Sequence, residues 1–243
     1  MNTIKLNTAG TNVKMIAHRG LSGIEAENTC AAFVAAGNRE KYFGIECDIH
    51  RTLDGKFVIF HDDNTKRMAV DSMVVEETTF DTLRSLHLVE PRNNNVRRGD
   101  LVMPTLEEYI NICARYDKVA VLELKNEMIA SDIYKIMATI DKLGHLEKTI
   151  IISFSLKNMI RLRKRYPQVK AQLLLKTWED KDMETLVKYD LDLDISYKAV
   201  TPELCRKIHD AGKEINCWTC NTVDMGEYLI QCGVDFITTD ILE

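Results

Sequence analysis

Short apolar runs alternate with amphipathic segments along most of the chain. Residues 13–17 form a first apolar run, and the apolar positions of residues 29–36 recur at the spacing of one helix face. A second run at 44–49 is followed by Asp54-Gly55, a dipeptide typical of hairpin turns, and by a short partner at 57–60. The chain therefore begins with a strand, a helix and a hairpin.

After Pro104 the alternation becomes regular. Thr105 and Glu108 have the Thr-x-x-Glu spacing of a capping box, which predicts that a helix starts there. The remaining strands are predicted at 118–124, 149–153, 170–175, 191–196, 214–219 and 235–238. Helices are predicted at 105–116, 131–143, 156–166, 180–189, 202–211 and 223–231. Without the hairpin partner, the pattern contains eight strands.

Repeated strand-then-helix order implies parallel strands joined by right-handed crossovers, and eight such units close a barrel. We therefore predict an α/β fold, a (β/α)8 TIM barrel, as a single domain over residues 1–243. The less regular stretch at about 62–103, with a helix at 80–86 and a polar turn at 93–98, is interpreted as a small insertion after strand two, because it has few apolar residues. An open doubly wound sheet is the alternative, although no glycine-rich nucleotide motif follows any strand.

The amino-acid composition limits the classes of protein to which this chain can belong. A hydrophobic fraction of 45% is compatible with a large core, and a formal charge of −5 argues against nonspecific nucleic-acid binding. The seven cysteines are odd in number and scattered, which favours buried thiols over disulfides. Cys217 and Cys220 have redox spacing, but the same interpretation is preferred for them. A polar N-terminus without a long apolar run predicts a cytoplasmic protein without stable membrane insertion.

Three carboxylates stand in or at the end of predicted strands. Glu46 and Asp48 are two residues apart and therefore share a strand face, and Glu123 lies near the end of the next strand of the barrel. Carboxylates that face a barrel interior repel one another unless a cation or hydrogen bonds compensate. Oxygen ligands favour a hard cation, so we predict one divalent ion, Mg²⁺ or Ca²⁺. The competing interpretation is a buried ion network with Arg19 or Lys125.

Two histidines follow strand-like runs close to these acids. His18 and His61 could exchange protons near neutral pH and are candidates for a general acid/base pair. Arg19 and Lys125 could both bind a phosphate. Because the carboxyl ends of barrel strands form one face, these side chains are expected to meet in one mouth.

Six motifs bring these residues together in a recognisable order. They are His18-Arg19-Gly20, Glu27-Asn28-Thr29, Gly44-Ile45-Glu46-Cys47-Asp48, Thr52-x-Asp54-Gly55, His61-Asp62 and Glu123-Leu124-Lys125. In order and approximate spacing they resemble the glycerophosphodiester phosphodiesterase family. Weaker similarity continues through residues 218–221 and 233–240, so the resemblance covers almost the whole chain. The fold of that family is a β/α barrel with a small insertion after strand two, in agreement with the pattern above.

The resemblance implies a role for each matching residue. It makes His18 and His61 the acid/base pair, without saying which is the base. It makes Arg19 and Lys125 the phosphate-binding residues. The metal ligands that it implies are Glu46, Asp48 and Glu123.

Two further residues match the family less specifically. Glu27 is expected to lie near the metal or the glycerol hydroxyls, although Ala26 stands where the family usually has proline. Trp218 is expected to line the pocket, and an ordinary tryptophan of the barrel core is the competing interpretation.

The function that the resemblance implies is metal-dependent hydrolysis of small glycerophosphodiesters to glycerol 3-phosphate and an alcohol. A neighbouring glycerol hydroxyl or water could attack the phosphorus. One alternative is a cyclising lyase like the spider-venom phospholipases D, and another is a noncatalytic barrel that binds phosphodiesters. The polar N-terminus and the scattered cysteines argue against the first, and the presence of both histidines and all three carboxylates argues against the second. The sequence leaves open the leaving alcohol and the oligomeric state, a homo-oligomer included.

Overall fold

The architecture is seen in a computed structural model, which describes residues 2–90 and 96–243. Its strands are β1 Lys14–Ala17, β2 Tyr42–Arg51, β3 Phe57–Ile59, β4 Val89–Glu90, β5 Val96–Arg97, β6 Val119–Leu124, β7 Thr149–Ser153, β8 Lys170–Leu175, β9 Asp192–Ser196, β10 Ile215–Trp218 and β11 Phe236–Thr239. Its α-helices are α1 Cys30–Gly37, α2 Phe80–Ser85, α3 Leu106–Arg115, α4 Ala130–Lys142, α5 Leu156–Arg165, α6 Lys181–Tyr189, α7 Pro202–Asp210 and α8 Val223–Cys232.

Eight parallel strands close into a barrel. Their order is β1-β11-β10-β9-β8-β7-β6-β2, and β2 returns to pair with β1. The closing strand β1 is paired on both sides, since Ala17 lies opposite Thr239 in β11 and Ile45 in β2. The hairpin strand β3 runs antiparallel along the end of β2. The predicted TIM barrel is confirmed, and the open doubly wound sheet is excluded.

Alternation within β2 separates the apolar core from the barrel interior, as predicted. Ile45, Cys47 and Ile49 are buried in the core layer shared with the helices, and Glu46 and Asp48 point to the other side. A smaller apolar cluster fills the lower barrel interior; its buried members are Ile16, Val121, Ile150, Ile152, Leu174 and Phe236. Ile152 lies opposite Glu123, and Ile152 and Leu174 line the pocket, so this cluster reaches from the barrel interior to the level of the carboxylates.

The segment between β3 and α3 contains two 3-10 turns, α2 and the β4–β5 ribbon. Its apolar residues are few, but most form a buried cluster. That cluster, which includes Ala26, Val58 and Phe60 of the barrel, also contains Met68, Ala69, Val75, Leu83, Leu86, Leu88, Leu101 and Met103. The segment is thus packed onto the barrel beside the end of β2. The polar turn predicted at 93–98 lies partly outside the described residues.

Capping residues in the sequence predicted where helices begin. Thr105 and Glu108 form the predicted capping box at the start of α3, and the hydroxyl of Thr29 caps α1. β2 is longer than the predicted 44–49, because pairing with β1 begins at Tyr42 and pairing with β3 continues to Arg51, on either side of the pairing of residues 44–49 with β6. All seven cysteines are free, as expected. Among the described residues, no helix is both long and apolar enough to cross a bilayer.

Candidate active site

A pocket opens at the carboxyl ends of the barrel strands. It brings together residues from opposite ends of the chain, and its lining consists of His18, Arg19, Glu46, His61, Glu123, Ile152, Phe154, Leu174, Asp194, Trp218, Thr219 and Thr238. This is the face on which β/α barrels place their active sites. Both histidines and two of the three carboxylates singled out in the sequence therefore face one pocket.

Three buried carboxylates meet beside this pocket. Asp48 in β2 lies opposite Glu123 in β6, and Glu46 stands two residues earlier on the same face of β2. One oxygen from each lies within 4.8 Å of the others. The backbone N–H of Arg19 donates to Glu46 Oε2 at 2.7 Å, which fixes one carboxylate in place. Barrel pairing thus creates the predicted acidic cluster.

Asp48 is the most completely surrounded of the three. Asn28 Nδ2 donates to its Oδ2 at 2.8 Å, and the backbone N–H of Asp48 donates back to Asn28 Oδ1 at 3.3 Å. Arg19 Nε lies 3.5 Å and Lys125 Nζ 3.4 Å from its oxygens, and Lys125 also approaches Glu123 at 2.9 Å. The ion network considered from the sequence is therefore present around the cluster.

The positive charges of Arg19 and Lys125 do not neutralise all three carboxylates. Burial, then the charges of Asp48 and Glu123, raises the pKa of Glu46 well above its ordinary value. Burial and Asp48 also raise the pKa of Glu123 to about 7. Burial opposes ionisation of Asp48 too, but Arg19 and Lys125 outweigh it and lower the pKa of that carboxyl. A buried all-oxygen set with unmet negative charge fits a hard divalent cation.

His18 is held by a carboxylate from the other end of the chain. Its Nδ1 lies 2.8 Å from Asp240 Oδ1, which also accepts from the hydroxyl of Ser22 at 2.7 Å. Asn221 Nδ2 donates to the second oxygen of Asp240 at 2.7 Å. A carboxylate on Nδ1 places the N–H on that nitrogen and leaves Nε2 for chemistry in the pocket.

His61 is held in the same way from a different element. Its Nδ1 lies 2.7 Å from Asp62 Oδ1, and its backbone carbonyl lies 3.2 Å from Nε2 of the buried His50. His50 is in turn 3.0 Å from Glu76 Oε1, so it connects Glu76 to the loop that carries His61. Burial, with Arg19 adding to it, lowers the pKa of His61.

Glu27 connects Arg19 to the inserted segment. Arg19 Nη1 donates to Glu27 Oε1 at 2.7 Å, and Arg67 donates to both oxygens of Glu27 at 2.7 Å. Arg67 Nε also donates to Asp62 Oδ2 at 2.8 Å, which links this chain of contacts to the carboxylate behind His61. Glu27 therefore lies behind Arg19 and outside the carboxylate cluster of the described residues, and its expected place near the metal or the glycerol hydroxyls stays a prediction.

The turn after β1 depends on close packing. Arg19 and Gly20 both have positive φ, 54° and 76°, a conformation that side chains other than glycine adopt less readily. A Cβ at residue 20 would lie 2.7 Å from atoms of Ala32 in α1. The glycine of this motif therefore lets the loop approach α1 and turns Arg19 toward the carboxylates.

Several site residues were missed in the sequence. Asn28 and Asp62 stand inside quoted motifs but received no role, and Asp240 closes the last weak motif. No sequence motif marked Arg67, which lies in an irregular segment, or Asp194, which lies on an ordinary buried strand. Trp218 does line the pocket, with its ring centroid 5.6 Å from that of Phe154 in an edge-on contact.

This chain is similar over most of its length to known proteins of one family. The model of the glycerophosphoryl diester phosphodiesterase family matches residues 18–243. A glycerophosphodiester phosphodiesterase of Caldanaerobacter subterraneus is 27% identical over 236 residues, which cover 93% of each chain. Another, from Bacillus subtilis, is 26% identical over 93% of this chain and 82% of its own.

Solved structures share the fold. A glycerophosphodiester phosphodiesterase of Parabacteroides distasonis superposes with a TM-score of 0.75 at 25% identity, covering 94% of this chain and 93% of its own. A phosphodiesterase of Oleispira antarctica, solved with the product sn-glycerol 3-phosphate, superposes with a TM-score of 0.80 at 23% identity, covering 93% and 92%.

The surroundings of His61 predict the pH at which its imidazole titrates. In cation-free protein we expect the midpoint of His61 to lie below the ordinary 6.5, because burial and the positive charges of Arg19 and Lys125 disfavour the imidazolium. Lys125→Met removes one of these charges and should raise the midpoint. Ring-proton NMR titration measures both, with a His61→Gln sample to assign the resonance. A wild-type midpoint above 6.5, or a lower midpoint in Lys125→Met, would contradict this account.

Proposed function

Because this chain belongs to the glycerophosphoryl diester phosphodiesterase family, we propose that it hydrolyses glycerophosphodiesters to glycerol 3-phosphate and an alcohol with a bound divalent cation and two histidines. Family membership makes it a phosphoric diester hydrolase on a TIM barrel. The product agrees with the sn-glycerol 3-phosphate in the related Oleispira antarctica structure. We also propose that residues 1–243 form one domain.

The observation that carries this proposal is the arrangement of the pocket. Two histidines, each backed by a carboxylate, line the same pocket as Arg19 and two members of the carboxylate cluster. A phosphodiester needs a group that accepts a proton, a group that donates one, and positive charge for the phosphoryl oxygens. All three kinds of group converge here from four separate parts of the chain.

Glu46, Asp48 and Glu123 are the proposed ligands of the cation. Their oxygens lie within 4.8 Å of one another, and their donor set suits Mg²⁺ or Ca²⁺. When bound, such a cation polarises a phosphoryl oxygen and offsets developing negative charge. Asn28 holds Asp48 from behind and thereby orients one ligand.

The two histidines are the proposed proton carriers. Because Asp240 and Asp62 occupy their Nδ1 atoms, each presents Nε2 to the pocket. One accepts a proton there from the attacking hydroxyl group, which belongs to water or to the neighbouring glycerol carbon. The other donates a proton to the departing alkoxide oxygen.

Arg19 and Lys125 are the proposed phosphate-binding residues. Arg19 lines the pocket and is held by Glu27, whose other partner is Arg67. Lys125 stays close to Asp48 and Glu123, so it acts on the phosphate from beside the cation site. Glu27 acts through Arg19, which it orients toward the substrate.

The cation site can be tested by binding alone. Titration of Mg²⁺ and Ca²⁺ into EDTA-stripped protein in a calorimeter should show one site. Glu46→Gln and Glu123→Gln should each weaken binding by about tenfold or more, since each removes a charged ligand. Glu214→Gln is the matched control, because Glu214 pairs with Lys14 at the opposite end of the barrel. Unchanged affinity in both site variants would refute the assignment.

Removal of either imidazole tests the proton-transfer roles. His18→Ala and His61→Ala should each lower kcat by about 10² to 10⁴, the range for loss of general acid/base catalysis. His209→Ala is the control, because His209 pairs with Asp235 away from the pocket. Steady-state kinetics on glycerophosphocholine, with circular dichroism to verify folding, decides the matter. A folded variant of His18 or His61 with wild-type kcat would exclude that residue from the chemistry.

A further inference from the structure

Two polar atoms on the pocket wall have no hydrogen-bond partner among the residues that the structure describes. Asp194 Oδ1, in β9, and Trp218 Nε1, in β10, are both buried and unpartnered, and both residues line the pocket. Asp194 is only 1% exposed, although it is an acid. Buried polar groups nearly always have partners, so these two atoms require an explanation.

The neighbouring side chains bond to one another and not to Asp194. Asn216 Nδ2 donates to Gln172 Oε1 at 3.2 Å, and the hydroxyl of Thr238 donates to Asn216 Oδ1 at 3.1 Å. Asp194 lies directly opposite Asn216 in the β9–β10 pairing but takes no part in these bonds. Gln172 Nε2 is also buried without a partner among the described residues, so this polar layer keeps one unpartnered donor beside the unpartnered oxygen of Asp194.

The two atoms stand on the same face of adjacent strands. Asp194 pairs with Asn216 and Ser196 pairs with Trp218, so Trp218 is one same-face position nearer the mouth than Asp194. The indole ring leans edge-on against Phe154, which fixes its N–H relative to the pocket. The wall thus offers an acidic group below and an N–H donor above.

A hydroxyl group complements this pair. A hydroxyl oxygen can accept from the indole N–H while its proton is donated to a carboxyl oxygen. An anion would satisfy the indole N–H but would be repelled by the carboxyl whenever that group is ionised. Burial, then the charge of Glu123, raises the pKa of Asp194 well above its ordinary value, and a protonated carboxyl can likewise share a hydrogen bond with a hydroxyl group.

We propose that Asp194 and Trp218 form a subsite that binds a free hydroxyl group of the substrate and thereby selects polyol phosphodiesters. This proposal rests on the proposed function, because it concerns the substrate of the same pocket. The hydroxyl can come from the glycerol half or from a leaving alcohol that carries hydroxyls. The chemistry of recognition is the same for both sources.

The glycerol half is tested by binding, independently of turnover. Calorimetry measures the affinity of glycerol 3-phosphate and of its two deoxy analogues, propane-1,2-diol 1-phosphate and propane-1,3-diol 1-phosphate, for wild type and Trp218→Phe. The phenylalanine keeps an aromatic ring against Phe154 and removes the N–H. If the subsite binds the glycerol half, Trp218→Phe should weaken the binding of glycerol 3-phosphate by about 3- to 10-fold, the loss expected for one hydrogen bond. The same variant should weaken the binding of one of the two deoxy analogues by less than about twofold.

The leaving alcohol is tested by kinetics. If its hydroxyl is bound, Trp218→Phe should lower the ratio of kcat/KM for glycerophosphoglycerol to kcat/KM for glycerophosphocholine by the same factor, since choline offers no free hydroxyl in the diester. Absence of turnover by wild type with all phosphodiesters would remove the proposed function, whereas the calorimetric comparison would still decide the subsite.

Asp194 variants separate a binding role from a structural one. Asp194→Ala should weaken the binding of the same ligand selectively. It should also raise the unfolding temperature, because it removes an unpartnered buried acid. Asp194→Asn, which keeps a hydrogen-bonding group, should lose less affinity. Asp192→Asn is the matched control: the same change two residues earlier on β9, where the carboxylate accepts from the backbone of Glu214. The proposal would be overturned if these variants lost the same factor of affinity for every ligand, or if Trp218→Phe and Asp194→Ala lost no affinity.

Discussion

The structure around the pocket depends on three carboxylates that the barrel holds out of water. Pairing of β2 with β6 places Asp48 opposite Glu123, and alternation along β2 adds Glu46 to the same face. Burial raises the pKa of two of the three, so the cluster carries a cost that Arg19 and Lys125 offset only in part. Such a cost is tolerated where a cation binds, which is why this cluster defines the centre of the site.

The histidines illustrate what a closed barrel contributes to catalysis. His18 follows the first strand, yet its partner Asp240 follows the last, and the two meet because β1 pairs with β11. His61 and Asp62 follow β3, which is fixed to the end of β2. Arg67 then joins Asp62 to the glutamate behind Arg19, so the inserted segment orients groups at both sides of the pocket.

Sequence patterns predicted most of the barrel, because alternation of period two and helical spacing are local properties. The same alternation predicted the carboxylate cluster, and the motifs marked both histidines. The contact between Glu27 and Arg67 could not be predicted, since only the folded chain shows that Arg67 reaches Glu27 from the insertion. Asp194 could not be singled out, because the sequence does not show that one oxygen of this buried acid lacks a partner and that its side chain lines the pocket.

The most direct test of the account is release of glycerol 3-phosphate from a panel of glycerophosphodiesters by purified protein with Mg²⁺, Ca²⁺ or EDTA. The account predicts release with at least one of the two cations and loss of release in EDTA, restored when the cation is returned. Undiminished release in EDTA by fully stripped protein would contradict a cation held by Glu46, Asp48 and Glu123. Absence of release with either cation, from folded protein, would contradict the proposed reaction itself.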